Sequence, residues 1–193
     1  DITLSSEYIG ENGLAHNVHV KNNLIYISHY TTGLKIVDIY FPEYPIEVAA
    51  FDTYPENDEG GFYGCWGAYP FTNNGLIYAS DMQHGLFVFN FNEIRGGIIE
   101  GYIYLNNTLP LSNATLKSLL NEREFYTNQT GYFNFGFPEG EHEFLVNNTD
   151  TILVSILPHQ INSTNFYFTE DLILGDVNGD YTLDVLDIIL IIN

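Results

Sequence analysis

Oxygen-bearing side chains recur at alternate positions in the stretch GDVNGDYTLDVLD. They occupy positions 1, 3, 5, 7, 9 and 12 of a twelve-residue loop, and they are Asp176, Asn178, Asp180, Thr182, Asp184 and Asp187. In calcium loops this spacing brings side-chain oxygens around one hard cation, while position 7 contributes its backbone carbonyl. Four carboxylates so close together repel one another unless a cation neutralises them. The spacing therefore predicts a Ca²⁺ site.

The loop departs from a full EF-hand at two positions. Asp187 stands at position 12 in place of glutamate, and Tyr181 stands at position 6 in place of the glycine that favours the sharp turn. Because a bulky residue resists positive φ, Tyr181 predicts weak calcium binding. Segment 175–193, with its apolar run at 185–192, resembles one type I dockerin repeat. That resemblance implies a calcium loop followed by a short helix and a cohesin-like partner, although dockerins carry two repeats and one is seen here.

The other reactive side chains form no recognisable catalytic pattern. Cys65 has no nearby lysine or arginine to lower its thiol pKa, so we expect an inert, buried residue. His16 and His19 are three residues apart and would face opposite sides of a strand, which disfavours chelation. Asp58 and Glu59 lie in a glycine-rich acidic loop that we interpret as solvated. The sequence thus favours a non-catalytic protein.

Charge and composition exclude several classes of protein. Five Lys+Arg against 25 Asp+Glu give a net charge of −20, which argues against binding to nucleic acid or anionic lipid. A hydrophobic content of 45% with 16% aromatics predicts a folded chain rather than an acidic tail. The longest aliphatic run, 188–192, is far shorter than the ~18 residues of a membrane span. A single cysteine excludes an intrachain disulfide framework.

Five Asn-x-Ser/Thr sequons point to a location outside the cell. They are Asn106, Asn113, Asn128, Asn147 and Asn162. Such acceptors imply surface positions if a glycosylating cell secretes the protein. The sequence opens at Asp1 without a leader, so we expect that a secretion signal was removed or lies outside this piece. We predict an extracellular or cell-surface glycoprotein.

Residues 1–93 contain an internal repeat. The stretch NNLIYISHYTTGL at 22–34 aligns without gaps with NGLIYASDMQHGL at 74–86, at an offset of 52 residues. Each copy predicts a strand, a glycine turn and a second strand. We expect Gly33 and Gly85 to occupy equivalent turns, and Leu34 and Leu86, which follow them, to occupy equivalent core positions.

Further short strands are predicted around these copies, at 16–20, 46–51 and 68–71. About four strands in 40–50 residues is typical of a β-propeller blade. Two blades cannot close a propeller, which needs at least four. We therefore expect the missing blades to come from a longer protein or from another copy.

Three phrases carry a family resemblance over about residues 14–91. They are GLKIVDI at 33–39, FDTYPENDEGGFYGCWGAYPF at 51–71 and DMQHGLFVF at 81–89. In this order they resemble the LVIVD-repeat proteins called choice-of-anchor B. The resemblance implies a secreted β-propeller with a variable C-terminal anchoring module, and it implies no particular reaction.

Residues 97–168 predict a second domain made of short strands and no helix. The strands are expected at 98–105, 114–116, 132–135, 143–146, 151–156 and 165–168. The phrases GGIIEGYIY, LPLSNATL and TNQTGYFNFGFPEGEHEFLV resemble the carboxypeptidase regulatory-like domain. That resemblance implies a seven-stranded β-sandwich acting as a spacer or stabiliser, with a hairpin at Gly131 and Tyr132 and a turn at 138–140.

Three functions remain open on this sequence. The first is a secreted or surface-displayed modular binding or structural protein, attached to a cell-surface partner by the calcium module. The second is a propeller enzyme acting on extracellular polysaccharide, with the dockerin-like end as a targeting tag. The third is a subunit of an extracellular polymer that assembles by β-strand addition. Exposed aromatic rings would favour carbohydrate as a ligand.

Overall fold

The computed structural model describes residues 1–10, 14–57 and 59–169, and the structural statements below refer to these residues. Within them the protein is all-β, with sixteen strands in four sheets and no helix. The prediction of a mainly β protein is confirmed. The predicted loop–helix at 175–193 lies outside the described residues. No helix among the described residues is long and apolar enough to cross a membrane.

The first sheet contains four antiparallel strands in chain order. They are β1 (Asn17–Lys21), β2 (Leu24–Ser28), β3 (Leu34–Asp38) and β4 (Ile46–Phe51). Asn22 and Asn23 join β1 to β2 with φ of 54° and 62°. Two consecutive positive φ values suit the right-handed twist of a two-residue hairpin, and asparagine tolerates them.

The second sheet has three antiparallel strands and packs against the first. They are β5 (Cys65–Tyr69), β6 (Ile77–Asp81) and β7 (Gly85–Phe89). Leu24, Tyr26, Leu34 and Ile36 of the first sheet form one core with Ile77 of the second. This shared core holds the two sheets together.

The repeat copies have similar turns but different environments. Gly33 directly precedes β3 and Gly85 is the first residue of β7, with φ of 78° and 85°. Leu34 is buried at 3% exposure, whereas Leu86 is 69% exposed, so the prediction that both are core residues is wrong. Leu34 shares a core with Ile77 of the second sheet, whereas Leu86 lies on a face of the second sheet where Val88 is also exposed. Equivalent sequence positions therefore meet a neighbouring sheet in one copy and solvent in the other.

The remaining strands build two further sheets. They are β8 (Gly96–Leu105), β9 (Leu109–Pro110), β10 (Thr115–Ser118), β11 (Glu124–Tyr126), β12 (Tyr132–Pro138), β13 (Gly140–Val146), β14 (Asp150–Ile156), β15 (Ile161–Ser163) and β16 (Phe166–Phe168). In the third sheet β8 lies between β12 and β15, and β9 and β16 also pair with β8. The fourth sheet has the order β11-β10-β13-β14. β15 and β16 run parallel to β8, and neither this direction nor the strands β9, β11 and β15 were predicted.

The third and fourth sheets share one aromatic core. Phe133, Phe135 and Phe137 alternate along β12 and point to one side, as period-two alternation requires. They meet Phe144 and Val154 of the fourth sheet, which are likewise buried. We call this pair of sheets, residues 96–168, the C-terminal unit, and the first two sheets the N-terminal unit.

Candidate functional site

The six predicted calcium ligands, Asp176, Asn178, Asp180, Thr182, Asp184 and Asp187, lie outside the described residues. Calcium binding therefore stays a prediction. Across residues 1–10, 14–57 and 59–169, no group of three or more His, Cys, Asp or Glu side chains is placed to hold a metal ion.

Four of the five sequon asparagines are exposed, namely Asn106, Asn113, Asn128 and Asn147. Asn162 is half-buried, and its side-chain Nδ2 donates to the carbonyl of Ile98 at 3.0 Å. Its Oδ1 accepts the backbone N–H of Leu157 at 3.2 Å. Since a glycan attaches to that same Nδ2, modification of Asn162 would disturb the β15–β8 contact.

The histidines of the N-terminal unit lie in separate environments. The ring of His16 is tilted over Trp66, with 3.9 Å between ring centroids. His29 is buried, and its Nδ1 is 2.7 Å from Oγ1 of Thr32 within the turn that leads to β3. Burial lowers the pKa of His29, so the ring is neutral near pH 7. Each of these rings has a local packing or hydrogen-bonding contact.

Cys65 lies at the start of β5 and is fully buried. Burial, assisted by the negative charge of Asp81, raises the pKa of its thiol to about 12. A thiol with that pKa is protonated at neutral pH and is a poor nucleophile. The buried position of Cys65 indicates that it serves as a small side chain in the core.

A polar network holds the acidic loop against the second sheet. The carboxylate of Asp81 is buried and accepts hydrogen bonds from Thr53 Oγ1 at 2.7 Å and from the backbone N–H of His84 at 2.8 Å. His84 in turn donates from Nδ1 to the Thr53 carbonyl at 2.8 Å, and its Nε2 is 3.1 Å from Glu56. The Thr53 carbonyl and then the nearby carboxylates raise the pKa of His84. Every member of the network thus bonds within the protein, which indicates a structural role.

The acidic pair that could suggest acid–base chemistry is only partly described. Asp58 lies outside the described residues. Glu59 is exposed, and its backbone N–H donates to Oδ1 of Asn57 at 2.8 Å.

A second polar cluster joins the N-terminal and C-terminal units. Asp38, at the end of β3, is 1% exposed. Its Oδ2 accepts the backbone N–H of Gly96 at 2.9 Å and a hydrogen bond from Nε2 of His159 at 3.0 Å. Its Oδ1 accepts the backbone N–H of Tyr40 at 2.9 Å. One buried carboxylate of the N-terminal unit therefore bonds two residues of the C-terminal unit.

His159 is held from three directions in this cluster. Its ring stacks on Tyr40 with centroids 3.9 Å apart and an interplanar angle of 7°. Its backbone N–H donates to the Gly96 carbonyl at 2.8 Å, and its φ is 56°. A non-glycine residue in this region of φ is uncommon, and the surrounding contacts stabilise the conformation.

Apolar packing and one arginine complete the contact, which we call the inter-unit joint. A Cβ atom placed on Gly96 or Gly136 would lie 2.6 Å or 2.5 Å from Ile46 side-chain atoms, so β4 packs closely on β8 and β12. Arg95 donates from its guanidinium to the Asn22 carbonyl at 2.8 Å. Its own backbone N–H donates to Glu139 at 2.7 Å. The joint therefore combines buried charge, ring stacking and backbone contacts.

The inter-unit joint was not predicted from the sequence. Asp38 stands directly after the apolar residues of β3, and a carboxylate at the end of a buried strand is a signal that could have been noticed. His159 is 121 residues away along the chain, and no local pattern connects it with Asp38.

Comparisons with known proteins give little further information. No protein-family model and no curated protein matches the chain. Among solved structures, the minor pilin GBS52 of Streptococcus agalactiae is similar at 10% identity and a TM-score of 0.31, over 52% of this chain. The matched part spans 62% of the pilin chain, less than two thirds of its length. We infer neither fold nor function from a likeness of this strength. Over the described residues, the fold and site define the class as an all-β protein with two units in contact.

Proposed function

We propose that this chain is a non-catalytic structural and binding module that works outside the cell. The observation that carries the proposal is the inter-unit joint. Six residues, 90–95, separate β7 from β8, and Asp38 bonds directly across the connection. A short connection with a packed, hydrogen-bonded contact keeps two units in one orientation, as a spacer or presenting scaffold requires.

We assign the modules of this scaffold from the sequence resemblances. The N-terminal unit corresponds to two LVIVD-type propeller blades, supported by the positive φ of Gly33 and Gly85 in matching turns. The C-terminal unit corresponds to a carboxypeptidase regulatory-like domain, supported by its two sheets around one aromatic core. Residues 176–187 form a dockerin-like calcium loop that attaches the scaffold to a cohesin-like or other cell-surface protein.

The extracellular location is supported by the four exposed sequons of the C-terminal unit. Asn106, Asn113, Asn128 and Asn147 are exposed and therefore accessible to a glycosylating enzyme. Asn162 is the matched internal control, because its Nδ2 is hydrogen-bonded to Ile98. In a secreting eukaryotic host we expect glycosidase-sensitive mass at the four exposed sites and none at Asn162. Mass spectrometry of glycopeptides measures this, and a chain without glycan at any site would remove this support.

Small-angle X-ray scattering of the full chain tests the scaffold. At low protein concentration, one rigid arrangement of the two units should reproduce the scattering curve. A variant with a flexible Gly-Ser insertion after Glu93 is the control for uncoupled units. Wild-type scattering that needs an ensemble of orientations, as the insertion variant should, would overturn the proposed function.

Calorimetric titration of the full chain tests the calcium assignment. We expect one weak site that is lost in Asp176→Ala combined with Asp187→Ala, and tighter binding in Tyr181→Gly because glycine tolerates positive φ. Identical heats for wild type and the double variant would exclude calcium binding by this loop.

A further inference from the structure

The second sheet has one strand fewer than the first. In the first sheet β4 pairs with β3, whereas no described strand pairs with the outer side of β7. At the 52-residue offset between the repeat copies, the residues of β4 correspond to residues 98–103. These residues lie inside β8 of the third sheet. Within the part of the chain that the structure describes, the fourth-strand position of the second sheet is therefore open, because the equivalent residues build another sheet.

The open edge has none of the features that protect a strand edge. β7 has the sequence GLFVF, without charge or proline, and it pairs with β6 without a bulge. Leu86 and Val88 are 69% and 52% exposed. Natural proteins usually block edge strands with charges, prolines or bulges, because unpaired N–H and C=O groups recruit another strand. β7 is thus a ready acceptor for strand addition.

An apolar groove accompanies this edge. It has a volume of about 160 Å³ and lies between the first two sheets, where Ala49 and Phe51 of β4 face Ile77, Phe89 and Phe91. An apolar cavity of about 150 Å³ accommodates a molecule as large as benzene. The groove can therefore accept an aliphatic side chain from a strand that pairs with β7.

The chain also contains a segment with the pattern of such a strand. Residues 1–5, Asp-Ile-Thr-Leu-Ser, alternate polar and apolar side chains and belong to no sheet. Ile2 is fully exposed and Leu4 is 76% exposed. In an extended strand, two residues two positions apart face the same side. The next residues are held on the first sheet, because Ser6 Oγ donates to the Pro42 carbonyl and Tyr8 bonds Glu47.

We propose that residues 1–5 of one copy add to β7 of a second copy as its fourth strand. The added strand runs antiparallel to β7, as β4 does to β3, and its Ile2 or Leu4 side chain enters the groove. Donor and acceptor are different surfaces, so the contact is head-to-tail and builds an open chain or a closed ring. This assembly extends the proposed scaffold role and rests on it, but it uses an edge strand, β7, that contributes no residue to the inter-unit joint.

Sedimentation velocity across a concentration series tests the assembly. Wild type should form dimers and longer species as concentration rises. Ile2→Asp combined with Leu4→Asp should weaken association about 100-fold, since the aliphatic side chain that enters the groove and its neighbour on the same face are replaced by charges. Thr3→Asp combined with Ser5→Asp adds the same charge on the other side of the segment and should associate more strongly than the first variant.

Hydrogen exchange identifies the acceptor and the donor separately. On assembly the alternate amides of β7 that do not bond β6 should gain protection in wild type and in the Thr3/Ser5 variant. A monomer at all concentrations, or equal association of both double variants, would overturn the proposal. So would a monomer with protected β7 amides, since the segment would then insert into its own chain. Loss of assembly in Tyr78→Ser alone would place the contact on the sheet face instead. None of these outcomes depends on the scattering test of the scaffold.

Discussion

Replacing Asp38 by alanine should destabilise the protein through the inter-unit joint. The carboxylate accepts hydrogen bonds from the N–H groups of Tyr40 and Gly96, both at 2.9 Å, and from His159 at 3.0 Å. A hydrogen bond to a charged group contributes roughly 1.5–3 kcal/mol. The His159 side chain is 30% exposed, so water screens its pairing and we assign that contact about 1 kcal/mol or less.

The Gly96 amide has the largest effect in this sum. In Asp38→Ala its N–H would remain buried without an acceptor, which costs about 1–3 kcal/mol. Tyr40 is exposed, so its backbone N–H can form a hydrogen bond to water in place of the one to Asp38. We therefore expect a loss of about 3 kcal/mol in the free energy of unfolding, which corresponds to a fall in Tm of about 6–12 °C for a chain of this size.

Urea denaturation followed by circular dichroism measures this loss. The control is Asp52→Ala, because Asp52 is exposed and accepts one hydrogen bond, from the Tyr54 N–H at 2.7 Å. That variant should lose less than about 1 kcal/mol. If Asp38→Ala were no less stable than Asp52→Ala, the buried carboxylate would not hold the joint and the reasoning would be refuted.

Three further predictions follow from single residues. In urea titrations, Gly33→Ala should destabilise the protein far more than Gly85→Ala. Both glycines have positive φ, but a Cβ at Gly33 would lie 2.0 Å from the Phe51 carbonyl oxygen, whereas a Cβ at Gly85 would meet open space. Equal losses in the free energy of unfolding would contradict this. Burial lowers the pKa of His29, so at acidic pH the unfolded chain binds more protons than the native protein. The free energy of unfolding should therefore decrease as the pH is lowered below about 6.5, by up to about 1.4 kcal/mol per pH unit. His29→Gln should reduce that slope, and an unchanged slope would refute the assignment. Burial raises the pKa of Cys65 to about 12, so a thiol reagent should label it only upon unfolding, and rapid labelling of the native protein would contradict its placement.

Local patterns in the sequence were sufficient to predict the β class and several strands. Strand periodicity is a property of neighbouring residues, so it can be recognised in the sequence. It allowed prediction of β12 and β14 from their alternation and of β2 and β3 from their apolar runs. The turn at Gly33 could be predicted for the same reason, because it depends on adjacent residues. The calcium loop is also a local pattern, and it stays a prediction because it lies outside the described residues.

Features that depend on distant residues were not predictable. Leu34 and Leu86 match in sequence, yet only one of them meets another sheet, and a pattern along one strand does not reveal which face is covered. The parallel pairing of β15 with β8 and the bond between Asp38 and His159 join residues far apart in the chain. Such contacts depend on how the sheets are arranged, which a single sequence does not specify.

Nitrogen-15 relaxation of the full chain tests the central claim, a scaffold of two units coupled as one body. The Ile2→Asp, Leu4→Asp variant at low concentration keeps self-association out of the measurement. Amides of β2 and β3 in the N-terminal unit and of β12 and β13 in the C-terminal unit should report one shared rotational correlation time, that of the whole chain. Two distinct and shorter correlation times, one for each unit, would contradict the account.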